Sequence, residues 1–149
     1  MISSIAIALV ALGVAIGSWL RPLPENKSTA PSYTTQQVAD AKLKVCAPFT
    51  KANNAVRAAT ARDKGSDYAT QLASAVNVRQ ALLAASQSLT STLNQEPAAP
   101  ADIVSNTHSL ADAYQALTIA LIADATEPEK SPILHSGDEA TSSLENLCK

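Results

Sequence analysis

The side chains best able to form a specific bond are two sulfurs, Cys46 and the penultimate Cys148. Two thiols could rest as free buried residues, but an even count beside an export-type leader favours a disulfide. Such a bridge closes a loop of about 100 residues, and in the chain-entropy model is worth up to about 4.7 kcal/mol. Metal binding is the rival chemistry. With only His108 and His135 to add, the cysteines match none of the close ligand pairs that zinc sites use, and no Cys-x-x-Cys redox pair is present. No metal site is therefore assigned.

Acid–base and nucleophilic chemistry is sparsely supplied. His108 and Asp112 are one helical turn apart and could form an imidazole–carboxylate pair. Their position beside the inner stripe of their helix favours a solvated pair. Serines and threonines are abundant, but none lies in a Gly-x-Ser-x-Gly elbow or a Ser-x-x-Lys motif, and no glycine-rich phosphate loop occurs. Arg57, Arg62, Lys64 and Arg79 could gather at one end of a helical bundle, as in secreted helical chorismate mutases, but read more simply as a solvated helix end. Tyr68, Tyr114 and His108 are haem-ligand types without a recognisable pocket. No catalytic residue and no cofactor is assigned; the chain reads as a non-enzyme. A net charge of −2 over 149 residues gives no basic footprint for nucleic acid.

The elements that carry these residues start from residues 2–20, a run without charge and interrupted only by serine. As a helix it would span about 28 Å, close to a bilayer core of roughly 30 Å. Trp19 suits the headgroup level and Arg21 follows into water. The run reads as a transmembrane signal-anchor over residues 1–20. A cleavable signal peptide is the alternative, with Ala15-Ile16-Gly17 as a weak cleavage site, although no basic residue precedes the run. Arg21 and Lys27, taken literally under the positive-inside rule, would place the C-terminal part in the cytoplasm. The cysteines argue for the opposite side and outweigh a bias of two charges, one of them offset by Glu25. Basic residues upstream of Met1 would remove the conflict. The expected location is thus the cell membrane, single-pass, with the C-terminal domain extracytoplasmic.

Residues 21–32, rich in proline and small polar residues, form a linker; Asn26-Lys27-Ser28 fits the N-glycosylation pattern. Residues 33–149 read as one all-α domain, an antiparallel four-helix up-and-down bundle. The first helix is capped by Thr34 with Gln37, and Val38, Ala41, Val45, Phe49, Ala52, Val56 and Ala59 mark its inner face. Pro48 predicts a kink or brief break around residues 44–46. The second starts at Ser66 as cap with Asp67 in its first turn, and carries an inner stripe of Tyr68, Leu72, Val76, Arg79, Leu83, Leu89 and Leu93. Arg79 on that stripe reads as a stem along the bundle edge with its head in water. After a turn at 94–100, the third shows Ile103, Thr107, Leu110, Tyr114, Leu117 and Leu121 in steps of four and three. A loop at 124–132, carrying two prolines, leads to a short fourth helix capped by Ser136 and Glu139, with Ala140, Leu144 and Leu147 inward.

Tyr33-Thr34-x-x-Gln37-Val38-Ala39-x-Ala41-Lys42-x-x-Val45-Cys46-x-x-Phe49, then Ser109-Leu110-Ala111-Asp112-x-Tyr114, Gly137-Asp138 and the closing Leu147-Cys148-Lys149, resemble a family of uncharacterised mycobacterial membrane-anchored, alanine-rich envelope proteins. The resemblance covers the chain from about Tyr33 onward. It implies a signal-anchored envelope protein with an extracytoplasmic helical domain and paired cysteines, and it implies no activity. Pro48 stands where that pattern has a small residue. Three roles follow as expectations: a non-enzymatic domain presenting a helical surface to an envelope protein partner, a binder of a small ligand such as a lipid or haem in a gap between helices, or an exported helical enzyme.

Overall fold

The structure, a computed structural model, describes residues 31–149. The proposed anchor at 2–20, the Asn26 sequon and most of the linker lie outside the described residues. Among the described residues no helix is long and apolar enough to cross a membrane. Tyr33–Lys149 forms one compact unit of four helices, and among the described residues there is no strand.

The first helix, α1 (Thr35–Thr60), begins where its cap predicts. Thr34 Oγ1 accepts the Gln37 amide at 3.2 Å, and Gln37 Oε1 accepts the Thr34 amide at 2.8 Å, so two amides left open by the first turn are satisfied reciprocally. Ala41, Val45, Phe49, Ala52, Val56 and Ala59 are buried as their spacing requires, with Val38 only half-buried. Of the kink or brief break expected at Pro48, the break is not there: the helix runs unbroken through it. The ring removes one hydrogen bond, to the carbonyl of exposed Lys44, while burial of Val45, Cys46 and Phe49 holds the surrounding turns in place.

The second helix, α2 (Tyr68–Gln95), is capped one residue later than expected. Asp67, not Ser66, is the cap, accepting the Thr70 amide at 2.9 Å. Hydrogen bonds from Thr70, side chain before backbone, hold its carboxyl below the usual aspartate range. Gly65 ahead of it has φ +63°, and a β-carbon there would meet Thr70 Cγ2 at 2.6 Å. The inner stripe is corrected in its first half: Tyr68, Leu72, Val76 and Leu83 are exposed, and the buried line is Leu82, Ala85, Ser86, Leu89 and Leu93. The step from Leu83 to Leu89 is six residues, a rotation of about 240° on a 3.6-residue helix, so the expected stripe joined two different faces.

In α3 (Ala101–Ile122), Ile103, Thr107, Leu110 and Tyr114 are buried and Leu117 and Leu121 are half-buried, as expected. Pro100, the last residue of the expected turn, takes the cap position. The fourth helix differs most. A loop at 124–132 and a cap at Ser136 were expected, but α4 spans Glu127–Leu147 and its capping box is Thr126 with Glu129. Pro128 falls in the first turn, where an amide has no helical partner anyway. Pro132 sits inside the helix, where its missing amide leaves only the carbonyl of exposed Pro128 without a helical donor. Gly137 lets α4 lie close to α3; an added β-carbon there would stand 3.4 Å from Ala113 Cβ.

The order is up–down–up–down. α1 packs along α2, α2 along α3 and α3 along α4, whereas α1 and α4 meet at only a few positions. The core runs through Val45, Leu82, Leu89, Ile103, Leu110 and Leu144. One seam of the bundle is therefore open for part of its length.

Candidate functional site

The closed end of the α1–α4 seam is covalent. Cys46 and Cys148 form a disulfide with Cα atoms 5.5 Å apart, joining residues 102 positions apart in sequence. Two turns along α1, Asn53 Nδ2 and Arg57 Nη2 both donate to Glu145 Oε1 of α4, at 3.4 and 2.9 Å. Beyond that point the two helices separate.

A gap of about 270 Å³ lies there, near the lower end of ordinary small-ligand sites. All four helices line it. Val56, Val78, Leu82, Leu117, Ile133 and Leu134 supply an apolar lining, and Ala113 and Gly137 leave the space unfilled. Asn53, Arg57, Tyr114, Asp138 and Thr141 supply polar groups from α1, α3 and α4.

Those polar groups are coupled. The Tyr114 hydroxyl donates to Asn53 Oδ1 at 3.5 Å, and Asn53 is itself buried. Burial pushes the Tyr114 phenol above its ordinary value; a hydrogen bond with Thr141 and the Arg57 charge pull it down, and the Asp138 charge adds to the rise. Arg57 is matched by Glu145. Asp138 has no ion-pair partner among the described residues, since the nearby His135 faces Glu139 at 3.2 Å. The arrangement can hold an apolar body while offering both donors and acceptors to a polar end.

The cationic group considered at the sequence level does not gather. Arg57 turns to Glu145, while half-buried Arg79 donates Nη2 to the carbonyl of Leu121 at 2.6 Å and so serves the C-terminal end of α3. Lys64 and Arg79 border a separate cleft of about 210 Å³, and Arg62 is exposed in the loop after α1. His108 and Asp112 are both exposed on α3, with no hydrogen bond or ion pair between them. His135, expected in a loop, lies on α4 and is exposed. Tyr68 is 78% exposed, so Tyr68, His108 and Tyr114 do not converge on one ligand. Among the described residues no three His, Cys, Asp or Glu side chains are grouped to hold a metal ion.

Asn53, Asp138 and Thr141 were missed at the sequence level. Asn53 had a signal: an amide beside Ala52 on a face otherwise made of Ala, Val and Phe. Asp138 figures in the sequence only within the Gly137-Asp138 pair, which carries no role, and Thr141 has no signal. No known protein family, curated protein or solved structure matches this chain.

Proposed function

We propose that the chain is a membrane-anchored protein of the cell envelope, allied to the mycobacterial alanine-rich family it resembles. Its disulfide-closed helical domain stands outside the cytoplasm and binds a small amphiphilic molecule without catalysis. The uncharged run at 2–20 supports the anchor, and the Cys46–Cys148 bridge supports an oxidising compartment. The gap between α1 and α4 carries the binding role, because an apolar lining and a polar rim from three helices meet there. An amide, a phenol, hydroxyls and an already matched ion pair suit recognition.

The binding test is calorimetry of octanol with the full chain in lipid nanodiscs, against empty discs. The reading expects saturable heat from the protein, abolished by Val78→Trp, which fills the gap from α2. Heat no different from empty discs would remove it. Sidedness is tested by labelling intact cells with a membrane-impermeant maleimide before and after reductant. Labelling only after impermeant reductant fits an external bridge; labelling only after lysis and reduction contradicts it.

A second reading has its own observation. Leu72, Val76 and Leu83 lie 41–47% exposed along α2, an apolar line that a protein partner could cover. Crosslinking from α2 in cells, lost on Leu72→Lys with Val76→Lys, would favour that role.

A further inference from the structure

We propose that the polar end of the α1–α4 gap selects a protonated amine, so that the ligand is an alkylamine-type cation with its chain among Val56, Val78 and Leu117. The inference rests on reading the gap as a ligand site and adds the chemistry of the head group.

Charge decides the class. Two charged side chains line the gap, Arg57 and Asp138. The Arg57 guanidinium already donates to Glu145 Oε1 at 2.9 Å, and the same oxygen accepts Asn53 Nδ2. The Asp138 carboxylate has no ion-pair partner among the described residues, so the unmatched charge bordering the gap is negative. A carboxylate or phosphate head could use only the Arg57 donors that Glu145 leaves free, would share a charge already matched by Glu145, and would also face the Asp138 carboxylate. An ammonium head asks for no such exchange. Its three N–H donors have three kinds of acceptor bordering the space: the Asp138 carboxylate, the Asn53 amide oxygen and the Thr141 hydroxyl. The apolar lining then takes the chain, and the modest volume favours a short to medium one.

The test uses the full chain in nanodiscs with methyl-labelled Val, Leu and Ile, titrated in turn with octylamine, octanol and octanoate at neutral pH. Shifts of the Val56, Val78, Leu117 and Ile133 methyls report occupancy of the gap. Octylamine is expected to bind about ten-fold more tightly than octanol, and octanoate more weakly than either. Asp138→Asn, isosteric and on an exposed helical position, is expected to bring amine and alcohol within about two-fold of each other. Partition into lipid is common to wild type and variant and cancels in that comparison. Octanol binding with no preference for the amine, or a preference that survives Asp138→Asn, overturns the head-group inference and leaves the ligand site standing. No shift of these methyls with any of the three overturns both.

Discussion

Arg57 Nη2 of α1 stands 2.9 Å from Glu145 Oε1 of α4, and the oxygen it contacts also accepts Asn53 Nδ2 at 3.4 Å. One carboxylate oxygen thus ties two positions a helical turn apart to the facing helix, at the point where the seam begins to open. The Arg57 and Glu145 side chains are 65% and 46% exposed, so solvent screening keeps the energy of this pair small and its main effect is to fix geometry. Glu145→Gln is expected to lower unfolding free energy in urea by less than about 1 kcal/mol, with the loss shrinking as salt is raised. A loss of several kcal/mol would mean that the pair does far more than position the seam.

The disulfide is expected to dominate the stability of the domain. Removing it by Cys46→Ser with Cys148→Ser frees a loop spanning 102 positions, worth up to about 4.7 kcal/mol in the chain-entropy model. Against a typical total of about 5–15 kcal/mol for a domain, that is a large share. Urea unfolding with and without reductant, monitored by circular dichroism, measures it. The serine variant and the reduced wild type should have the same midpoint.

Thr107 is fully buried on α3, and its hydroxyl has no hydrogen-bond partner among the described residues. An unmatched buried hydroxyl costs about 1–3 kcal/mol. Thr107→Val keeps the shape and removes the group, so its thermal midpoint should rise, with a gain of about 1 kcal/mol. A fall would show that the hydroxyl is satisfied in solution.

Tyr114 sets a limit at alkaline pH. Burial raises its phenol pKa in the folded chain, so the fold favours the neutral form. That contribution is complete below the ordinary phenol value near 10 and is lost as pH climbs through the raised value. Stability should therefore fall on the alkaline side, and Tyr114→Phe should flatten that limb. The same substitution should remove a late-titrating component from the phenolate absorbance.

Much of this architecture was readable in the chain, and the failures are local and explicable. Thr34 with Gln37 announces α1 because a capping box is written in adjacent residues. The Ile103 to Tyr114 spacing announces α3 because its apolar positions never leave one face. α2 carries two apolar lines, one buried through Leu82 and Leu89 and one exposed through Leu72 and Val76, and composition alone does not say which meets the core. α4 is hidden by Pro128 and Pro132, which together read as loop, although the first is a first-turn proline that local rules allow and only the second lies inside the helix. The gap depends on how far α1 stands from α4 beyond Glu145, a distance set by the whole assembly. No spacing within a single helix encodes it.

The most direct measurement of the account is the methyl spectrum of the full chain in nanodiscs during an octanol titration. Ligand capture in the seam predicts saturable shifts at Val56, Val78, Leu82, Leu117, Ile133 and Leu134, absent after Val78→Trp. Shifts confined to the outer α2 line at Leu72, Val76 and Leu83, or none at all, would contradict it.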